Sequence, residues 1–348
     1  MQQKIDNLTQ KPSGLSADKL SCELVWKSDF PSSLSSIFLS FDSKYVSAVS
    51  CNGELSFFDA IDGSLKYRLD ISFPLICSQI DDTTREAFVF GKNGVARVSA
   101  SGQLLWRKNI KTPIINGVVS QYLKNFMICY EGNKIVIADY NAVPKYKGTI
   151  DSKGPISSVY ASKNSENYAL VTSAGDVFYL RYDGSVLWQF CINDNLSSVS
   201  MSKDGRVVFI GSSDNKVLCL HSEQKVLFNY ALKSSVVCTD ISEDGKYFAV
   251  GCSDGSVYVL NESGGTVFYD KPVGSVSKIF LTDNAQSILT LSDNRLITMY
   301  KICEKKSVEK CSNDMAAYIE LDGAKINFTD GSLLKNKVAE DNEKYIEF

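Results

Sequence analysis

Residues Gly184–Phe190 read GSVLWQF, and degraded copies of this stretch recur along the chain. Its tryptophan, Trp188, is one of only three in 348 residues. An aromatic residue holds the same place in every copy, at intervals of 39 to 42 residues: Trp26, Tyr67, Trp106, Tyr146, Trp188, Phe228 and Tyr269. Seven aromatic residues in one register indicate a repeat protein whose unit is roughly 40 residues long.

Each repeat unit also carries the signals of short antiparallel strands. A Gly or Asn hairpin signal precedes a strand-like run in CNGELSFF, SAGDVFYL and SDGSVYVL, and another turn precedes the second strand in SEDGKYFAVG. Four such strands per unit are typical of one propeller blade. The aromatic residues then fall on the outermost, fourth strands, where a large ring can fill the wide gap between neighbouring blades. We therefore expect Trp188 to be largely buried.

A second column of residues predicts the axis of the ring. Small residues recur in the first strand of each unit at intervals of 39 to 41 residues: Ser36, Cys77, Gly117, Ser158, Ser198, Cys238 and Ser277. Strands that converge on a common axis leave little room for side chains, so small residues are expected at the narrow end of each blade.

The order of the units predicts how the ring closes. Three-strand sets begin near residues 34, 75, 114, 156, 196, 236 and 275, whereas Trp26 precedes all of them and the last set lacks a fourth strand of its own. We therefore predict an all-β fold, a seven-bladed β-propeller of four-stranded antiparallel blades. Its last blade is closed by the N-terminal strand at about residues 22–30, which leaves no open sheet edge between the first and last blades.

The segments on either side of the repeat are assigned separately. Residues 1–20 are predicted to be a flexible segment, residues 21–302 the propeller, and residues 303–348 a C-terminal extension. Asp322-Gly323 is a turn signal that predicts a β-hairpin at about residues 315–330. A lone hairpin is marginally stable in water, so the extension is expected to dock on the ring, on another copy or on a partner.

The outer strands and turns resemble two known propeller families. GQLLWRK and GSVLWQF resemble the outer strand of the pyrroloquinoline-quinone-like repeat propellers, and SEDGKYFAVGCSDGSVYVL resembles a WD-repeat blade. The resemblance covers about residues 22–302 and implies the propeller fold. Quinone enzymes of the first family bind their cofactor with a calcium ion at the axis, but this sequence has no cluster of acids at an axial position. We therefore expect no cofactor and no metal.

Composition excludes several kinds of partner. The formal net charge is −3, so no basic field points to nucleic acid. No run approaches 18 apolar residues, which predicts no membrane span, and the N-terminus does not resemble a secretory signal. The ten cysteines are scattered singly, and several lie inside apolar runs, as small buried hydrophobes do in a reducing compartment. We expect a cytoplasmic protein with no nucleic-acid or membrane partner.

Catalytic motifs are also missing from the sequence. The one histidine, His221, follows a third strand in a turn, and no clustered Cys/His set or Gly-rich phosphate loop occurs. We therefore expect no enzyme but a protein-interaction scaffold, or a subunit of a multiprotein complex, that binds protein partners through one propeller face. The C-terminal extension is a second candidate surface. Phe30 and Phe73 precede prolines in loops of that face and are the candidate exposed anchors, unless they wedge between blades.

The alternative function is an enzyme or small-ligand binder that uses the mouth of the central channel. Asp240 and Lys278 are the charged residues next to the column of small residues. A pocket that holds both, with a shifted pKa, would favour this alternative. The sequence identifies neither the partner nor the oligomeric state.

Overall fold

The computed structural model describes residues 20–304, apart from 165, 272–273 and 283–284, together with the backbone of residues 318–321 and 324–327. All regular elements in these residues are β-strands. Among them, no helix has the length and apolar character needed to cross a membrane. The chain divides into two compact units, residues 1–305 and 306–348. Of the segment predicted to be flexible, residues 1–19 lie outside the described part.

The strands of the first unit are short and follow one another at tight turns. The first fourteen are β1 (Leu20–Asp29), β2 (Leu34–Leu39), β3 (Tyr45–Ser50), β4 (Glu54–Asp59), β5 (Leu65–Asp70), β6 (Leu75–Ile80), β7 (Ala87–Gly91), β8 (Gly94–Val98), β9 (Leu104–Asn109), β10 (Ile114–Ser120), β11 (Asn125–Tyr130), β12 (Lys134–Asp139), β13 (Pro144–Thr149) and β14 (Ile156–Ala161). The next fourteen are β15 (Asn167–Thr172), β16 (Asp176–Arg181), β17 (Val186–Cys191), β18 (Leu196–Met201), β19 (Val207–Ser212), β20 (Lys216–His221), β21 (Val226–Ala231), β22 (Val236–Ile241), β23 (Tyr247–Cys252), β24 (Val257–Asn261), β25 (Thr266–Asp270), β26 (Val276–Leu281), β27 (Ser287–Ser292) and β28 (Leu296–Glu304).

These strands form seven four-stranded antiparallel sheets, which are the blades of a propeller. Blades 1 to 6 each use four consecutive strands, from β2–β5 to β22–β25. Blade 7 has the order β1-β28-β27-β26, so the N-terminal strand is its outermost strand. The first strand of each blade contacts the first strands of both neighbouring blades, and β26 contacts β2. The predicted seven-bladed ring, closed by the N-terminal strand, is confirmed.

The outer strands share one irregularity that fixes which residue faces the next blade. A β-bulge immediately precedes the aromatic residue in every outer strand, for example between Leu65 and Tyr67 or between Val186 and Trp188. In blade 6 the residue after the bulge is Phe268, which pairs with Val259. Phe268 is 2% exposed and Tyr269 is 44% exposed. The assignment of Tyr269 to the aromatic column was therefore wrong by one residue, and a shift of one residue turns a side chain to the other face.

The column of small residues needs two corrections of the same kind. The ladders place Asn116 opposite Cys129 and Lys278 opposite Leu291, where Ser36 stands opposite Val49 in blade 1. Asn116 and Lys278, not Gly117 and Ser277, are therefore the members of the column in blades 3 and 7. The other five members are confirmed by the register of their ladders.

The three tryptophans join neighbouring blades in the same way. Each indole N–H donates a hydrogen bond to a backbone carbonyl 34 residues further along the chain, and the bond from Trp188 to the Ser222 carbonyl, at 2.7 Å, is the shortest of the three. The Trp188 ring also stacks on Tyr179 at a centroid distance of 5.1 Å. Trp188 is 8% exposed, so the prediction that it is largely buried is confirmed.

The second unit contains one described hairpin. Strands β29 (Tyr318–Leu321) and β30 (Ala324–Asn327) pair antiparallel, with Leu321 opposite Ala324. Both strands fall within the range 315–330 proposed for a hairpin. The remainder of residues 305–348 lies outside the described part of the chain.

Candidate functional site

Phe30 is buried and is not an exposed anchor. Its side chain is 2% exposed and packs edge-on against Phe58 of blade 1 at a centroid distance of 5.8 Å. Its N–H donates to the Arg295 carbonyl. In five other blades the residue that follows the outer strand also donates its N–H to a carbonyl in the turn before the third strand. These residues are Ile71, Ile110, Ile150, Ile192 and Leu232. Phe30 therefore belongs to a repeating apolar column that seals adjacent blades, and its assignment as a partner-binding residue is corrected.

Phe73 is also held between blades. Its side chain is half-buried and packs against the apolar core between blades 1 and 2. The ring lies so close to Gly91 that a Cβ there would be 2.2 Å from it, and it also covers Gly94. Two glycines thus make room for this ring, which leaves only part of it accessible to a partner.

Asp240 lies in a small cavity near one end of the channel. Its side chain is 5% exposed, and Oδ2 accepts a hydrogen bond of 2.7 Å from the Leu281 N–H of the next blade. Burial raises the pKa of Asp240 to about 7, against the lowering effect of that hydrogen bond. The cavity measures about 20 Å³, which is room for about one water molecule.

Lys278 belongs to the channel wall but not to that cavity. It stands in the axial column and is half-buried, and its charge acts on the buried thiols of Cys77 and Cys238. The residues that line the cavity of Asp240 do not include it. The structure therefore does not bring Asp240 and Lys278 together in one pocket.

Charged and polar side chains bridge the channel at the end where the first and second strands of each blade are joined. We call Asp82, Gln121, Lys163, Lys203 and Glu243 the mouth network. Lys163 of blade 4 forms ion pairs with Asp82 of blade 2, at 3.1 Å, and with Glu243 of blade 6, which also pairs with Lys203.

The mouth network is partly buried and tightly connected. Lys163 is 15% exposed and lies over the Phe41 ring, with Nζ 5.5 Å from its centroid. Burial lowers the pKa of Lys163, but the hydrogen bond that Lys163 donates to Glu243 and the charge of Asp82 outweigh it, so the pKa lies above its ordinary value. Through Lys163 the network links blades 2, 4 and 6, which are not adjacent in the ring.

A groove of about 620 Å³ lies between blades 2 and 3. Its wall on the blade 2 side includes Val95, Lys108 and Ile110, and its floor is formed by β11, β12 and β13 of blade 3. The lining extends over the whole β12–β13 pair, from Lys134 opposite Thr149 to Ala138 opposite Pro144. Grooves of this volume are in the range of ligand-binding pockets.

Two residues that differ from their equivalents in the other blades line this groove. Ala138 occupies a place that has a larger residue in the six other blades: Phe58, Val98, Leu180, Leu220, Leu260 and Tyr300. Lys108 stands two residues after the aromatic residue of its outer strand, where the blades have Leu69, Gly148, Phe190, Tyr230, Asp270 and Ser28. The groove therefore has a small residue in its floor, in blade 3, and a lysine in its wall, in blade 2.

The groove combines an apolar floor with a cationic rim. Half-buried Ile110, Val136 and Ala142 contribute apolar surface over the buried Phe126 and Ala138, and the lining has no acidic residue. It does include four exposed lysines: Lys108, Lys111, Lys134 and Lys147. None of these four forms an ion pair with another described residue, whereas many lysines elsewhere on the propeller do.

Other chemistry that the sequence left open has a structural explanation. His221 lies at the end of β20, and its Nδ1 accepts a hydrogen bond of 3.2 Å from the Glu223 N–H within a turn. In the described part of the chain, no group of three or more His, Cys, Asp or Glu side chains is arranged to hold a metal ion.

Fold and repeat together define the class of this protein. It is a seven-bladed β-propeller that resembles the pyrroloquinoline-quinone-like repeat propellers. Residues 173–335 match the family model described as outer membrane protein assembly factor BamB. These 163 residues (335 − 173 + 1) are slightly under half of the chain and do not include the groove between blades 2 and 3. No curated protein matches the chain.

Proposed function

We propose that the protein is a non-catalytic interaction platform, a scaffold or a subunit of a multiprotein complex, that binds a partner protein at the outer part of its ring. The observation that carries the proposal is the groove between blades 2 and 3. A groove between two blades, with apolar residues in its lining and lysines at its rim, presents a surface suited to another chain.

The family match supports the same class of function. Its description names an assembly factor, and a rigid propeller that displays loops and grooves is suited to holding proteins together. The C-terminal extension is a second candidate contact in this proposal. A cytoplasmic location is likewise proposed, supported by cysteines such as Cys129 and Cys219 that pack as small apolar residues. Fractionation of the native source tests the location.

Affinity purification of the full-length chain from its native source tests the platform function. The expected result is a protein that co-purifies in a fixed ratio near one to one and survives a moderate salt wash. A tagged chain with Ala138→Leu, which refills the groove, is the matched variant. Recovery of the chain without any protein in fixed ratio would contradict the proposal.

One observation favours the alternative of a small-ligand or catalytic site. Asp240 has a pKa of about 7, which suits a general acid or base near neutral pH. Its cavity of about 20 Å³, however, has room only for a water molecule, so a substrate would require the mouth network to open. A screen of metabolites by thermal shift, with Asp240→Asn as the control, tests this alternative. A stabilising compound whose effect is lost in the variant would support it.

A further inference from the structure

The dimensions of the groove between blades 2 and 3 suit an extended chain. It extends along β13, which has six residues, from Pro144 to Thr149, so its length is roughly 20 Å at about 3.3 Å per residue. An extended segment of about six residues spans that distance. A compact domain would contact only the rim, whereas an extended segment can reach the apolar floor along its whole length.

The charges of the groove select the sign of its ligand. Its lining carries four lysines and no acid, although the whole chain has a net charge of −3. The lysines come from both walls, with Lys108 on β9 and Lys147 on β13. A segment that lies between these walls is therefore flanked by ammonium groups on both sides, and a single carboxylate could engage only some of them.

We propose that this groove binds an extended segment of a partner protein in which acidic residues alternate with aliphatic or aromatic ones. Successive side chains of an extended segment point in opposite directions. One set therefore packs on Ile110, Val136 and Ala142, and the other turns outward to the lysines of the rim. The proposal rests on the proposed platform function and adds the chemistry of the bound segment.

Three labelled hexapeptides test this chemistry on the full-length protein by fluorescence anisotropy. The probe is Glu-Leu-Glu-Phe-Glu-Leu, and its two controls replace every Glu by Lys or every apolar residue by Ser. We expect only the probe to bind. Its affinity should fall as salt rises, because dissolved ions screen exposed charges, with a screening length of about 10 Å at 0.1 M salt. Equal binding of the probe and the Lys peptide would overturn the proposal.

Variants locate the binding to the groove. Lys108→Glu combined with Lys147→Glu reverses the charge on both walls and should weaken probe binding about tenfold or more. Ala138→Leu should weaken it comparably by filling the floor, since leucine already occupies that place beside an outer-strand aromatic residue in blades 4 and 5. The control pair, Lys27→Glu with Lys233→Glu, changes exposed lysines outside the groove and should leave binding unchanged.

The outcomes separate this proposal from the platform function. If the control pair weakens the probe as much as the groove pair, binding reflects charge alone and the groove proposal fails. If laurate binds with the same variant pattern and displaces the probe while a natural partner stays bound, the groove takes a small amphipathic anion instead. A partner that co-purifies equally well with Ala138→Leu would leave the platform function standing and remove the groove as its site.

Discussion

Replacing Trp188 by alanine tests whether the outer-strand aromatic residues hold the blades together. The side chain is 8% exposed, so nearly all of its surface is removed from water. A buried tryptophan of about 150–250 Å² contributes roughly 4–6 kcal/mol at about 25 cal/mol per Å². Residual burial in the denatured chain reduces this by roughly 10–40%. We therefore expect Trp188→Ala to lower the free energy of unfolding by about 3–5 kcal/mol.

Urea unfolding followed by circular dichroism measures this loss without relying on tryptophan fluorescence. The matched control is Leu187→Ala on the same strand, because Leu187 is 44% exposed and its loss should cost about 0.5 kcal/mol. Trp188→Phe keeps an aromatic ring near Tyr179 but removes the hydrogen bond to the Ser222 carbonyl, so about 1–2 kcal/mol is expected. The reasoning would be refuted if Trp188→Ala and Leu187→Ala unfolded at the same urea concentration, with the dependence of the unfolding free energy on urea unchanged.

Three further predictions use the same unfolding assay. Phe268→Ala should cost about 3–5 kcal/mol and Tyr269→Ala less than about 1 kcal/mol, and the reverse order would contradict the register of blade 6. Lys163→Met leaves the carboxylates of the mouth network without their shared cation and should cost about 3 kcal/mol, partly recovered at lower pH; no loss would mean that the network is energetically neutral. Because burial raises the pKa of Asp240 to about 7, folding should lose stability as pH rises from about 4 to about 7, by at most about 4 kcal/mol. Asp240→Asn should remove this pH dependence of the unfolding free energy, whereas Ser200→Ala, at the equivalent place in blade 5, should keep it.

The sequence was sufficient for the fold because the propeller repeats its physical requirements seven times. Each outer strand needs a large residue where the blades diverge, so Trp26, Trp106 and Trp188 reveal the period even where the other columns are degenerate. Errors arose where a strand offered two adjacent residues of the same kind. Phe268 and Tyr269 are both aromatic, and only the bulge in β25 decides which of them faces the next blade.

The candidate site was harder to predict, because it depends on departures from the repeat and not on the repeat itself. Phe30 was taken for an exposed anchor, although its spacing to Ile71 and Ile110 would have placed it in a buried column. Ala138 and Lys108 were visible in the sequence, but each is unremarkable alone. They lie in different blades, and only the ring brings them together in the lining of one groove.

The physics of a ring explains why an open junction is informative. The other predicted site, the mouth of the channel, lies where the blades converge, and the cavity that holds Asp240 there has room only for about one water molecule. At the rim the blades diverge, and a junction needs large side chains to close it. In blade 3 this place holds the small side chain of Ala138. A buried leucine there would contribute about 1.5–3 kcal/mol to the free energy of unfolding. A single Ala138→Leu substitution would recover this stability. That the chain has alanine there is expected if the groove binds a partner.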